Sequence, residues 1–178
     1  ALRGLTVFPH MTLTFDVERR ISIAALERAM EADQDIFLVT QREIGVNAPE
    51  EKDLYTIGTV SHITQILRLG QSSVRVMVEG TARGRLLTLY RAEPFLSVGV
   101  EEIPAAIKNR ANSSKTEALI RQTYSLLERY TELSDRVTPE TYLKVLASDD
   151  PDYIADHVAQ NLPLRYEDKQ LILEELRP

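Results

Sequence analysis

The chain has 178 residues, with 27 acidic and 21 basic side chains and no cysteine. A chain of this length can bury a sizeable core unaided, and the lack of cysteine excludes disulfide frameworks, thiolate zinc sites and thiol nucleophiles. The net charge of −6 argues against a nucleic-acid-binding module, whose usual signature is a concentrated basic face.

The first 103 residues are predicted to be rich in β-structure, with one helix. Short strands are expected over residues 5–8 and, because apolar and polar side chains alternate there, over 13–17. Apolar residues three and four apart predict a helix over 22–32. The continuous apolar run at 36–39 is typical of a strand buried on both faces, and a polar loop follows at 47–53.

A long hairpin is predicted next. β-Branched residues favour a strand over 55–69 with a bulge near Ser61 and His62, and a turn is expected at 70–72. Gly80 is expected to end the second strand, and further strands are expected over 86–90 and 96–100. The second strand alternates strictly: one face carries Val74, Val76 and Val78, and the other carries Arg75, Met77 and Glu79.

The second half is predicted to be helical after a polar connector at 104–116. Helices are expected to begin at Thr138-Pro139 and Asp150-Pro151, because each pair joins a capping side chain to a proline at the first helical position. We therefore predict two domains, 1–103 and 104–178, the second cut short at its C-terminal end. An earlier helix carries an apolar stripe of Ile120, Thr123, Tyr124, Leu127, Tyr130 and Leu133.

No motif for covalent chemistry occurs in the sequence. It lacks the Gly-Lys pair of a phosphate-binding loop and the Gly-x-Ser-x-Gly of a nucleophile elbow. Its histidines, His10, His62 and His157, have no metal-ligand spacing, and the basic cluster at 83–85 is interpreted as a solvated loop between strands. We therefore expect no catalytic residue, cofactor or metal site in this chain.

Apolar residues that face outward are the better candidates for function. If the valines of the alternating strand face the core, Met77 faces outward, and methionine suits surfaces that accept many partners. The alternative is a second buried face. The predicted binding patch consists of Met77, Leu69, Met11, Leu13 and Phe15.

Five sequence blocks, in order, resemble the N-terminal domain of the Lon protease family, and residues 152–173 resemble that family's helical part. The resemblance covers essentially the whole chain. One departure is Glu18, which stands where the family usually has glycine, and it affects only the turn before the first helix. The blocks are LRGLTVFPHM (2–11), SIAALERAM (22–30), IFLVTQ (36–41), DLYTIGTV (53–60) and VMVEG (76–80).

This resemblance implies an α+β fold. It consists of a β-rich pseudo-barrel of the PUA type (named after pseudouridine synthases and archaeosine transglycosylases) with one helix, followed by an α-helical bundle. It also implies a parent that is a hexameric, ATP-dependent serine protease. The family's ATPase module and Ser-Lys dyad, with their ATP and magnesium, lie C-terminal to this region, so this chain itself is expected to be no enzyme.

The resulting hypothesis is a non-catalytic domain that binds exposed apolar segments of unfolded or damaged proteins and helps the subunits assemble. The chain alone is expected to self-associate weakly or not at all. The alternatives are a purely architectural oligomerisation domain, an RNA-binding PUA-like module, and an adaptor like those in ubiquitin-ligase receptors. The acidic net charge weighs against RNA.

The expected location is the bacterial cytoplasm, with the mitochondrial matrix as the alternative. No apolar run approaches the roughly 20 residues that a membrane-spanning helix needs, and the chain shows no signal-peptide pattern. We therefore expect no membrane partner.

Overall fold

The computed structural model describes residues 1–70, 73–104, 114–134 and 136–176. The chain divides after Ile103 into two units. The first unit contains β1 (Thr12–Val17), α1 (Arg20–Met30), β2 (Asp35–Leu38), β3 (Ile57–Arg68), β4 (Val74–Arg91) and β5 (Ser97–Ile103), with a short 3-10 turn at Glu51–Asp53. The second contains α2 (Ser114–Leu133), α3 (Pro139–Leu146), α4 (Pro151–Asn161) and α5 (Tyr166–Glu174).

The five strands form one antiparallel sheet around β4. The order is β1–β4–β3–β2, and β5 also pairs with β4. β1 pairs with residues 74–79 of β4, and β5 pairs with residues 83–91. Two register shifts occur in the β3–β4 pair. The shift between Val60 and Ser61 leaves Thr81 of β4 as the extra residue, and the shift between Ile63 and Gln65 leaves Thr64 of β3, so β3 is bulged, but at Thr64 and not at the predicted Ser61 and His62.

One core cluster of the first unit lies between the sheet and α1, and another is formed by Val39, Leu54 and Leu86. Val76 and Val78 of β4 and Ile63 of β3 pack with Leu26 and Ala29 of the helix. The helix forms here because its apolar residues recur every three or four positions and so share one stripe. The predicted inward face of the alternating strand is therefore the face that α1 covers.

β4 continues through Gly80, so the prediction that this glycine ends the strand was wrong. A Cβ atom at position 80 would lie 2.2 Å from the carbonyl oxygen of Phe8, and one at Gly84 would lie 2.8 Å from the ring of Phe37. Both glycines let other parts of the chain approach the strand closely. The basic cluster at 83–85 likewise lies within β4 and not in a loop.

Two further predictions about strands need correction. Residues 5–8 form no strand; Val7 and Phe8 are buried, and the Val7 carbonyl accepts a 2.6 Å hydrogen bond from the Thr59 hydroxyl instead of joining a ladder. β2 lies at the end of the sheet order, with Asp35 exposed and Ile36 only half-buried, so it is not buried on both faces. Gln71, Ser72 and most of the predicted connector lie outside the described residues.

Two helices of the second unit, α3 and α4, begin where the sequence predicted. The Thr138 hydroxyl accepts a 3.3 Å hydrogen bond from the Thr141 N–H, and Asp150 Oδ1 accepts one of 3.0 Å from the Asp152 N–H. Proline follows both caps at the first helical position. Leu133, the last member of the predicted apolar stripe on α2, is exposed. The core of this unit is formed by Leu127, Val137, Val145 and Ile154, with partly buried residues such as Ile120, Tyr124 and Tyr130 packed against it.

His157 of α4 is expected to make the second unit less stable in acid. Its ring is buried and stacked on Tyr153 with centroids 5.4 Å apart, and its Nδ1 lies 3.0 Å from Gln160 Nε2. Burial, and secondarily Lys144, lower the pKa of His157. Near pH 6.5 the histidine of the unfolded chain becomes protonated, whereas that of the folded chain stays neutral. The free energy of unfolding therefore decreases as the pH falls through that value.

Urea unfolding of the wild type and of His157→Gln between pH 7.5 and 5.0, followed by helical circular dichroism, measures this effect. Glutamine is polar and uncharged throughout, so the variant should lose less stability in acid than the wild type. An identical decrease in the two proteins would contradict the assignment to His157.

Candidate functional site

The sheet face opposite α1 carries a small exposed apolar patch. Leu67 and Leu69 are 53% and 45% exposed, and Met77 is half-buried beside them. Gln65 lies opposite Met77 in the ladder, and Leu67 lies opposite Arg75. Leu67 is thus a diagonal neighbour of Met77, at about 7–8 Å. We call Leu67, Leu69 and Met77 the outer patch.

The rest of this face is polar and open to solvent. Thr14 of β1 is opposite Met77 and is exposed, as is Gln65 on the other side. Arg75 binds both carboxylate oxygens of Asp16, at 2.7 and 2.8 Å, and these hydrogen bonds lower the pKa of the Asp16 carboxyl. The outer patch is therefore an apolar centre with a polar border, an arrangement typical of binding surfaces.

The five residues predicted as a patch do not share one surface. Leu13 and Phe15 lie opposite Val78 and Val76 and pack against the core beneath α1. Met11, partly buried, precedes β1, and its carbonyl accepts a 2.9 Å hydrogen bond from the Gly80 N–H. Only Met77 and Leu69 remain on the outer face.

The sequence prediction did not include Leu67. The sequence does contain the pattern that would have identified it. Leu67 precedes Leu69 by two positions, and residues two apart lie on the same side of an extended chain. The helix-like spacing of the apolar residues in this stretch, at 57, 60, 63 and 66, hid that alternation.

A second feature of the first unit is a cleft of about 590 Å³ on the α1 side of the sheet. Arg19 lies in its wall and donates a 2.6 Å hydrogen bond to Gln41 Oε1 and another to the Ala1 carbonyl oxygen. Burial, and then Arg3, lower the pKa of Arg19. Most of the lining is apolar and includes Leu5, Phe15, Val17, Ile21, Leu96 and Val98.

Two pairs of titratable groups lie at the surface of the first unit. His62 Nδ1 lies 2.9 Å from Asp35 Oδ1 at the surface, and Arg85 forms a 3.0 Å ion pair with Glu101. Within the described ranges, no three His, Asp or Glu side chains converge as a metal-binding group. In the same part of the chain, no helix is both long and apolar enough to cross a bilayer.

The family model of the substrate-binding domain of ATP-dependent protease La (Lon) matches residues 1–178. The chain belongs to the Lon substrate-binding domain family. Since that domain accounts for the whole sequence, the chain contains neither the ATPase nor the protease domain of a Lon protease.

Curated Lon proteases from several bacteria match almost the whole chain. The Lon protease of Heliobacterium modesticaldum is 40% identical over 175 residues, which cover 98% of this chain and 21% of that protein. Lon protease 1 of Bacillus subtilis is 39% identical, and the Lon protease of Escherichia coli is 36% identical, each over 173 residues that cover 97% of this chain and 22% of the relative. The chain thus spans about a fifth of the length of these relatives.

Solved Lon N-terminal domains share the fold. The N-terminal domain of Mycobacterium avium complex Lon protease superposes with a TM-score of 0.71 at 18% identity, covering 98% of this chain and 87% of that one. The Lon N-terminal domain protein of Xanthomonas campestris gives 0.66 at 16% identity, covering 99% and 88%. The β-rich sheet with several helices is therefore the architecture of Lon N-terminal domains.

Proposed function

We propose that this domain binds exposed apolar segments of unfolded or damaged proteins through the outer patch. The observation that carries the proposal is that Leu67 and Leu69 are exposed beside Met77 on an open sheet face. Unfolded chains expose apolar side chains that native proteins bury. A small adaptable apolar surface can recognise that difference without reading sequence, and methionine is suited to it.

We further propose that the domain does this within a Lon-type, ATP-dependent serine protease. The ATPase ring of the parent, a hexamer using ATP and magnesium, would receive the bound segments, and neighbouring subunits would be the other partners. The bacterial relatives support a cytoplasmic location. The acidic net charge, and the pairing of Arg85 with Glu101, favour protein over nucleic acid as the ligand.

The domain organisation follows the same proposal. Residues 1–103 would be the β-rich, PUA-like pseudo-barrel that carries the outer patch. Residues 104–178 would be an α-helical bundle that contributes to subunit contacts. The division of the chain after Ile103 supports this assignment.

Replacing Leu67 with aspartate is expected to weaken binding of an unfolded protein about tenfold. Covering a half-exposed leucine contributes about 1–1.5 kcal/mol, and 1.4 kcal/mol corresponds to a factor of ten in affinity. Met77→Asp should act in the same direction. The measurement is fluorescence anisotropy with a reduced, alkylated globular protein as the probe and its native form as the comparison.

Leu87→Asp is the matched control. Leu87 is 55% exposed and lies on β4, as Met77 does, but ten residues further along the strand. This variant should bind the unfolded probe like the wild type. Equal affinity of the wild type for native and unfolded probe would overturn the proposal. Concentration-dependent self-association without such affinity would favour the architectural alternative, which the exposed leucines at 119, 126 and 133 of α2 would then support.

A further inference from the structure

The outward edge of β1 is open in the part of the chain that the structure describes. The Gly80 N–H bonds to the Met11 carbonyl, and the register then pairs Leu13, Phe15 and Val17 with Val78, Val76 and Val74. Since backbone groups alternate in direction along an antiparallel strand, the N–H and C=O groups of Thr12, Thr14 and Asp16 point away from β4. Each of these three residues offers one donor and one acceptor to an incoming strand.

This edge also lacks the usual protection against pairing. Exposed edge strands are commonly guarded by lysine, by proline, or by a charge that points into the approaching chain. The sequence of β1 is TLTFDV, with neither lysine nor proline, and its single charge at Asp16 is engaged by Arg75. Threonine at positions 12 and 14 favours β-pairing.

A strand added along β1 would meet a polar row on its outer side and an apolar cleft on its inner side. Side chains on its outer side would continue the row of Thr14 and Met77, which are opposite each other in the ladder. Side chains on its inner side would point towards the cleft of about 590 Å³, whose wall includes Phe15 and Val17. The edge thus lies between the outer patch and the apolar cleft.

We propose that β1 accepts an extended segment of an unfolded polypeptide as an added strand. This inference rests on the proposed function and names the conformation in which the substrate binds. Main-chain hydrogen bonds to Thr12, Thr14 and Asp16 are independent of sequence, and alternate side chains would lie beside Thr14 on the outer face and towards the cleft on the inner face. The added strand lets the domain select for missing structure as well as for apolar composition, because most extended segments of a folded protein are already paired or protected against pairing.

Thr14→Pro tests the proposal with a defined probe, a ten-residue peptide of alternating leucine and threonine with lysine at each end. Proline removes an N–H that points away from β4, and edge strands tolerate it there. Thr14→Ala is the control, because it loses the side chain and keeps the N–H. We expect Thr14→Pro to bind the peptide about tenfold more weakly, and Thr14→Ala, which loses a β-favouring side chain but keeps the N–H, to lose much less affinity. Equal binding by both variants overturns the proposal.

A change in the peptide gives a test that leaves the protein unaltered. One version carries N-methyl groups on its leucines and another carries them on its threonines. Because an added strand turns only alternate amides towards β1, one version should lose binding and the other should keep it. Equal affinity of the two methylated peptides and the unmodified peptide contradicts strand addition.

The outcomes separate this inference from the proposed function. If Thr14→Pro binds the peptide normally while Leu67→Asp binds the unfolded protein weakly, strand addition is wrong and the outer patch remains the binding surface. If sedimentation shows wild-type dimers that Thr14→Pro abolishes, a second copy occupies the edge, which also overturns the proposal.

Discussion

Replacing Gly80 with alanine is expected to destabilise the first unit by about 3 kcal/mol or more. The added methyl group would lie 2.2 Å from the Phe8 carbonyl oxygen, so one of the two backbone segments must move. Movement would also disturb the hydrogen bonds that Gly80 makes with His10 and Met11, at 2.8 and 2.9 Å. For a unit of this size the melting temperature should fall by roughly 10 °C or more.

Differential scanning calorimetry of Gly80→Ala and Gly45→Ala measures the effect. Both variants add the same methyl group, but at Gly45 nothing beyond the two neighbouring residues of the chain lies within 4 Å of the position it would take. Gly45→Ala should therefore melt close to the wild type. A melting temperature of Gly80→Ala within 2 °C of the wild type would show that the contact with Phe8 is not as tight as the structure indicates.

Replacing Ile63 with alanine is expected to cost about 3 kcal/mol, within the range of 2–5 kcal/mol typical of large-to-small changes in a core. Ile63 is 1% exposed and packs between β4 and α1, so its loss removes apolar contacts and leaves a cavity. The measurement is urea unfolding of the whole chain, followed by the methyl NMR signals of first-unit core residues such as Val76 and Val78.

Ile44→Ala is the control for this change, because Ile44 is 50% exposed and the same substitution there should cost less than about 0.5 kcal/mol. Substitutions on the two faces of the sheet should also affect different properties, stability on the core face and binding on the outer face. Ile63→Ala should lower stability while folded protein still binds the unfolded probe, whereas Leu67→Asp should weaken binding with little change in stability. Equal destabilisation by Ile63→Ala and Ile44→Ala would contradict the assignment of the core.

Local chemistry explains what the sequence predicted correctly. Thr138 and Asp150 cap helices because a short oxygen-bearing side chain followed by proline suits a helix start wherever it occurs. The alternation around Met77 identified the outward face of β4 for the same reason, since side chains on a strand alternate whatever its partner. These features depend on a few neighbouring residues.

The predictions that were wrong depend on contacts between distant residues. Glycine is a residue type that often marks the end of a strand, so the sequence suggested an end at Gly80. The glycine lies inside the strand because the backbone of Phe8 packs directly against it. Leu13 and Phe15 were grouped with Met77, although the register pairs Leu13 with Val78 and so places them on the core face. A register shifted by one residue would have placed Leu13 and Phe15 on the outer face. The register is set by the packed sheet and not by either strand alone.

The length of β4 has a geometric consequence. A straight strand of 18 residues would extend about 60 Å, whereas a compact unit of 103 residues has a diameter of roughly 35 Å. β4 must therefore curve strongly along its course. Register shifts after Leu86 and Leu89, where β5 pairs, and the two glycines at 80 and 84 supply places for that curvature. Bending lets one continuous strand serve two neighbours, so that its first half pairs with β1 and carries Met77 while its second half pairs with β5.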